Sequence, residues 1–361
     1  MKFYYIIFVC MLLSVGVFGQ DVSVSITSIK TSNISLEPPM KLLNPDSMEL
    51  ISPQYATQLS VQNGNLTFKA HNKQFSGKNY IIVGNAGIVS FKANHKVYTY
   101  KGRMNLSADK SLIKFVNVVG LDDYAQTVLT TEFSQSAELE AIKAQAVAIR
   151  TFALKRMETK NYHLCDTTHC QTYKGFVYNA KYAQAIKDTK GMYLSYKGAP
   201  ITTMYSTDAG GATSSWAEMK GNSSFPYLST VKDPFPIEHI KWRFVVSNKD
   251  LSAKLKLPKV TGAVIKEKCS SGRVKTVVFK TEKGNKTFDG ENLRVLLGNA
   301  NIKSTLFTVD NKDNSVIFTG VGYGHGYGMC QRSVMAMAKK GWDFKKILLY
   351  FYKGATISRV N

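Results

Sequence analysis

LDDYAQTVLTTEFSQSAELEAIKAQAVAIRTFALKRM, residues 121–157, is the stretch from which the rest of the chain can be read. It opens on an acidic turn, Asp122-Asp123, followed by a largely apolar run from Ala125 to Leu129. One carboxylate, Glu132, follows between Thr131 and Phe133. Beyond it Leu139, Ile142, Ala146, Ile149 and Ala153 recur at spacings of three and four, which predicts a helix over about 137–157 with one apolar stripe. Ser136 is the expected N-cap. Glu138 and Glu140 place negative charge in the first turn and Lys155 and Arg156 positive charge in the last, as the helix dipole favours. Glu132 thus lies just ahead of a firmly seated helix, between Leu129 and Phe133. A carboxyl desolvated in such a place can serve as a general acid near neutral pH. The competing reading is a solvated loop glutamate.

Working outward, residues 1–19 carry Lys2, an apolar core from Phe3 to Val17 and Gly19 near a cleavage point, which predicts a secretory signal peptide. No later window reaches transmembrane length, so no transmembrane anchor is expected after cleavage. The formal charge is +22, from 47 Lys and Arg against 25 Asp and Glu. For an exported protein that balance points to an anionic wall polymer or membrane surface, not to nucleic acid. With 44% hydrophobic residues the chain is globular.

Asp21–Ile29 alternates as a first strand, and Ser35–Pro53, with its prolines, reads as loop. Short β-rich runs fill residues 58–100, with a hairpin about Asn63-Gly64. SLIKFVNVVGL (residues 111–121) is a buried strand, and MYLSYKGAPITTMY a hairpin about Lys197-Gly198. Residues 241–320 form a second α+β unit with strands AVIKEK, VKTVVFKT and SVIFTG and a helix over about 289–297. The chain closes on a glycine-rich turn and two helices, with Gly341 after the first and Asp343 capping the second.

Three motifs carry chemistry. In GVGYGHGYGMCQ, residues 320–331, Gly322, Gly324, Gly326 and Gly328 alternate with Tyr323, His325 and Tyr327 ahead of a helix start. Such glycines allow positive φ and close approach to a ligand, with helix amides as donors. The alternative is a structural turn with a packed histidine. CDTTHC brings Cys165, His169 and Cys170 to a spacing that suits zinc, a Cys165–Cys170 disulfide, or hydrogen bonding alone. The Ser206–Ser215 loop, with its glycines and hydroxyls, suits sugar recognition and an ordinary solvated loop equally. His325 with Cys330, or Ser206 with Asp208, makes no convincing nucleophile arrangement.

Read in order, these segments resemble the SpoIID/LytB family, the sporulation lytic transglycosylases and related amidase-enhancer proteins. The resemblance rests on YKGRM, VVGLDDYAQTVLTTEF, ELEAIKAQAVAIRTFAL, CDTTHCQTYKG, YSTDAGGATSS with FPYLSTVKDPF, LRVLLGNANIKSTLFTV and GVGYGHGYGMCQ, from about Tyr98 to Ile357. It implies an α+β fold of mixed sheets with a long central helix, two lobes around a cleft and a small N-terminal β-rich region. The implied segments are 20–97 (β-rich), 98–240 (core), 241–320 (second lobe) and 321–361 (completing the core). It implies that Glu132 is the acid/base that cuts the MurNAc–GlcNAc bond of peptidoglycan strands. One carboxyl suffices if the muramoyl C6 hydroxyl closes the ring, whereas hydrolysis generally takes two. The resemblance further implies substrate contacts from Gln171, Tyr173, Tyr205, Ser206, Gly210, Gly211, Ser215, His325, Gly326 and Gln331. Zinc at Cys165, His169 and Cys170 and a partner cell-wall amidase are also within what it implies. The chain departs from the family pattern at Tyr205 (often histidine), at STDAGG (often STSGG), at Cys330 (often serine) and at Ala217-Glu218-Met219-Lys220 (usually an acidic-Trp pattern).

Overall fold

The computed structural model describes residues 21–159 and 163–360; the signal-peptide expectation for residues 1–19 lies outside the described residues. The protein is α+β and divides into two units. One runs through Ser136 and resumes over Phe152–Gly191, and the other comprises Ala137–Thr151 and Met192–Val360.

The first unit is built on two sheets. In the seven-stranded sheet the order is Leu164–Cys165, Asp21–Ile26, Leu112–Gly120, Arg103–Asp109, Asn79–Val83, Lys41–Leu43, Leu50–Ile51. Its first-made strand alternates as its sequence demands, with Val22, Val24 and Ile26 buried and Ser23 and Ser25 outward. A six-stranded sheet orders Lys96–Lys101, Ile88–Ala93, Asn33–Leu36, Thr57–Gln62, Asn65–Ala70, Lys73–Gly77. Phe91 of this sheet stacks on Phe115 of the other at 5.2 Å, and Phe68 meets Tyr80 edge-on at 5.1 Å. The core lies between the sheets. The Asn63-Gly64 hairpin forms as expected, both residues at positive φ (51° and 72°). Residues 35–53 are not simply loop: Lys41–Leu43 and Leu50–Ile51 pair with each other and bury Leu42, Leu43 and Ile51. Strands of two or three residues between prolines are too short to show a period.

The quoted stretch holds two helices, not one. Helix α1, Leu121–Glu132, starts directly from the strand Leu112–Gly120, with Asp122 and Asp123 in its first turn. Tyr124, Ala125, Val128 and Leu129 are fully buried at spacings of one, three and four. Helix α2 is Leu139–Met157, and the Glu138 carbonyl accepts its first bonds, from Ala141 and Ile142. Its start is therefore two residues beyond the expected cap; the Ser136 hydroxyl instead bonds that of Ser134, at 2.8 Å. Nor does α2 show a single stripe. Ala141, Ala144, Gln145, Val147, Ala148, Arg150 and Thr151 are as inaccessible as Ile142 and Ile149. A helix covered on all sides needs small residues and satisfied polar ones. Thr151 Oγ1 donates to Val147 O at 2.6 Å and accepts from Leu194 N at 2.9 Å, and Arg150 Nη1 donates to Met192 O at 3.0 Å.

In the second unit, strands Lys241–Ser247, Ser315–Val321 and Phe307–Lys312 form one sheet and Val260–Lys268, Val274–Thr281 and Lys286–Asp289 another. Trp242, Leu251, Val274, Phe279, Leu293, Phe307 and Phe318 share their core. Helix Asn248–Leu255, capped by Ser247 on the amide of Asp250 at 3.0 Å, was not legible in the periodicity. The Lys197-Gly198 hairpin, the expected Gly290–Leu297 helix capped by Asp289, and the Asp343 cap on Phe344–Phe351 are all present.

Candidate functional site

Glu132 is the last residue of α1 and is half-buried, which sets aside the solvated-loop reading. Its Oε1 accepts the amide of Thr172 at 2.5 Å. Next to it, Thr131 Oγ1 donates to the carbonyl of Thr172 at 2.5 Å. The helix end and the loop after CDTTHC are thus clasped through both polar groups of one peptide residue, and the carboxylate is held in one orientation. Behind the clasp, Tyr124 OH donates to Gln171 Oε1 at 2.9 Å, and Tyr173 stacks between Tyr100 and Tyr124 (5.9 and 5.3 Å). Tyr173 is fully buried and donates its hydroxyl to Asn117 Oδ1 at 2.5 Å, so it supports the loop from beneath. Burial, with the nearby Tyr173 and Glu132 adding to it, pushes the Tyr124 phenol well above its ordinary value, which keeps it a donor.

The sulfur loop begins where Leu164–Cys165 joins the sheet edge parallel to Val24–Ser25. Asp166 fastens it: its carboxylate accepts the amide and hydroxyl of Thr27 (2.9 and 2.7 Å) and both donors of Ser28. Cys165 and Cys170 are thiols with Sγ atoms 3.0 Å apart, not joined as a disulfide, and His169 Nδ1 is 3.5 Å from each. Burial raises the Cys165 thiol, but hydrogen bonding with Cys170, Thr167 and His169 outweighs it and brings the thiol down to about 6. The three donor atoms lie within 4.8 Å of one another, a spacing and a donor set that suit one small, soft-to-borderline cation.

In the second unit the glycine turn and the Ser206–Ser215 loop meet. Ser206 pairs with Cys330, Asp208 with Tyr323 and Ser214 with Tyr327. The glycines serve this packing. Gly326, at φ +82°, would place a Cβ 2.2 Å from Arg273 Cζ, and Gly328, at φ +64°, one 2.1 Å from the carbonyl oxygen of Met204. At the start of the helix Gln331–Lys339 the amide of Arg332 is committed to Thr207 O at 3.1 Å. Cys330 is buried and accepts from Ala209 N at 3.2 Å. Of the expected contact residues, Tyr205, Gly210, Gly211, Ser215 and His325 retain surface, whereas Ser206, Gly326 and Gln331 are buried. Ser215 caps the short helix Trp216–Lys220, and Gln331 Nε2 lies 3.5 Å from Gln145 Oε1.

Two roles escaped the sequence reading, which did not single out Arg273 and weighed Asp208 only beside Ser206. Arg273 is fully buried behind Gly326 and donates to Ala209 O at 2.5 Å. Asp208, also fully buried, holds His239 Nδ1 at 2.8 Å and accepts Gly210 N and Ile240 N at 2.8 and 2.6 Å. For Arg273 the usable signal was composition: 8 of the 47 basic residues are Arg, the residue type that offers a fork of donors.

His325 stacks on Tyr327 at 5.6 Å, and its Nδ1 accepts the Tyr327 amide at 3.0 Å. Burial, then Arg294 and Arg273, lower its pKa to about 4 against the opposing pull of the Tyr205 carbonyl. It is a neutral ring at neutral pH, with Nδ1 committed as an acceptor. An unfolded histidine titrates near 6.5, so acid protonates the unfolded chain first. The stability tied to His325 is complete above about 6.5 and is lost as pH falls towards about 4, by about 3 kcal/mol at most. Urea midpoints over that interval are expected to fall less steeply for His325→Gln than for wild type; identical slopes would mean that the ring titrates normally.

Over residues 109–196 the chain matches the family model described as SpoIID, Stage II sporulation protein. Over residues 235–328 it matches a domain of unknown function, DUF8618. An uncharacterised protein of Brachyspira hyodysenteriae is 34% identical over 261 residues, 68% of this chain and 69% of that protein. The amidase enhancer of Bacillus subtilis is 30% identical over 284 residues, covering 64% of this chain but only 40% of the enhancer. Stage II sporulation protein D of the same organism is 29% identical over 271 residues, 68% of this chain and 76% of that protein.

Proposed function

The chain belongs to the SpoIID/LytB family, and on that premise we propose that it is an exported peptidoglycan lytic transglycosylase with Glu132 as its single acid/base. The observation that carries this reading is the half-buried carboxylate at the end of α1, oriented by the Thr172 amide within the span of the SpoIID model. Protonated Glu132 gives its proton to the oxygen bridging MurNAc C1 and GlcNAc, and the C1–O bond breaks. The muramoyl C6 hydroxyl then attacks C1 and returns its proton to the carboxylate, leaving a 1,6-anhydro end and an unchanged enzyme. In the first unit, Gln171 and Tyr173 would support the Thr172 loop through Tyr124 and Asn117; in the second, Tyr205, Gly210, Gly211, Ser215 and His325 retain surface with which they would meet a glycan, and Ser206, Gly326 and Gln331 are buried beside them.

Cys165, His169 and Cys170 would hold zinc, which would cross-link the loop that carries Thr172. About one zinc per chain is expected after loading and dialysis, and far less in Cys165→Ser; equal metal content in both would remove the site. No described helix is long and apolar enough to cross a membrane.

The test of function is digestion of purified glycan strands with no amidase present, read by mass spectrometry. Anhydro-ended products are expected. Their absence, with peptidoglycan pull-down retained, would replace this reading with the second one, a wall-binding activator of an amidase, which the 30% identity to the amidase enhancer favours.

A further inference from the structure

The last helix, Phe344–Phe351, buries Phe344, Ile347, Leu348 and Phe351 and turns Lys345, Lys346 and Leu349 outward, Leu349 being 40% exposed. Lys353, one turn on, is exposed, and Tyr350 is half-buried with its hydroxyl on Lys232 O at 3.0 Å. Trp342, just ahead of the helix, meets Tyr350 edge-on at 5.4 Å and Phe235 at 5.7 Å. The lysines lie over these rings: Lys346 Nζ is 4.0 Å from the Trp342 centroid and Lys353 Nζ 4.6 Å from that of Tyr350. Lys339 and Lys340 at the end of the preceding helix are exposed as well. From Lys339 to Lys353 there are thus five lysines and one acid, Asp343, whose carboxylate is used as the helix cap on Lys346 N.

We propose that this face is a docking surface for an anionic lipid membrane. Lysines alone would suit any polyanion. The pattern here adds an exposed leucine in the middle of the cationic row and two amphipathic rings beside it. The leucine gains nothing from a hydrated polymer, and leucine and rings together are stabilised at the boundary between headgroups and acyl chains. Lysine stems laid along aromatic rings keep their charges at headgroup level. The inner face of the helix is already used in the protein core, so the helix lies on the bilayer without unfolding from the protein. Charge complementarity selects anionic over zwitterionic lipid. None of these residues belongs to the Glu132 chemistry, so the two proposals stand or fall separately.

The test is cosedimentation of the purified full chain with vesicles of mixed phosphatidylglycerol and phosphatidylcholine, beside vesicles of phosphatidylcholine alone. Binding is expected to be about tenfold or more stronger to the anionic vesicles and to weaken with salt. Lys345→Glu with Lys346→Glu is expected to lower it about tenfold or more. Leu349→Ser is expected to lower it several-fold while leaving retention on soluble polyglutamate unchanged, because only the membrane offers the leucine an apolar phase. All three positions face solvent, so thermal unfolding should not move. Equal binding to both vesicle types would overturn the proposal. So would vesicle binding indifferent to Leu349→Ser, which would assign the lysines to a soluble polyanion instead.

Discussion

Glu132→Gln is expected to lower the release of anhydro-ended products from glycan strands by about a hundredfold or more, the usual worth of a positioned general acid. Glutamine keeps the shape of the side chain, and its carbonyl oxygen can still accept the Thr172 amide that Glu132 Oε1 accepts at 2.5 Å. The clasp between the end of α1 and the sulfur loop should therefore survive, and the melting temperature with it. What the variant lacks is the proton. Loss of activity with an unmoved melting temperature separates chemistry from folding; wild-type activity in Glu132→Gln would show that some other group protonates the leaving oxygen. Thr131→Val is the companion. It removes the Thr131 hydroxyl from the Thr172 carbonyl but leaves the carboxyl intact, and a milder loss is expected.

The largest effect on stability is expected at Gly328→Ala. The added methyl would stand 2.1 Å from the Met204 carbonyl oxygen, at φ +64°. Both the obstacle and the strained residue are backbone, so neither can step aside as a side-chain tip would. Met204 O also accepts from Met329 N and from Tyr352 OH at 3.0 and 2.8 Å, so shifting it breaks further bonds. Strain and overpacking together suggest a loss of about 3 kcal/mol or more, visible as a lower urea midpoint. Gly341→Ala is the control, since φ is +80° there too but a Cβ would meet nothing within 4 Å; it should cost about 1 kcal/mol. Similar losses at both sites would mean that dihedral strain alone matters.

How far these features were legible in the sequence depends on the distance over which each is made. Hairpins at Asn63-Gly64 and Lys197-Gly198, the caps at Asp289 and Asp343 and the closeness of Cys165, His169 and Cys170 are all local, and could be read directly. Helix α1 was hidden by its threonines, which are poor helix formers. In the structure two of them turn their hydroxyls back onto the helix, Thr127 to Asp123 O and Thr130 to Thr127 O, at 2.8 and 2.7 Å. The all-round burial of α2 could not be read because alanine is equally at home on either face of a helix. Thr172 meeting Glu132 across 40 residues and Arg273 filling the space beside Gly326 are products of the assembled fold, with no local trace.

The Asp166 clasp on Thr27 and Ser28 has a consequence for how the chain comes to be built. Those partners lie 139 residues apart, so a ribosome that has finished the strand Asp21–Ile26 must translate well over a hundred residues before its edge neighbour arrives. Closing so long a loop is slow, and in the interval the strand is paired on one edge alone, along Leu112–Gly120. Nascent chains shorter than about residue 166 should leave the Val24–Ser25 edge open, and that edge would be among the last in its sheet to be locked in place.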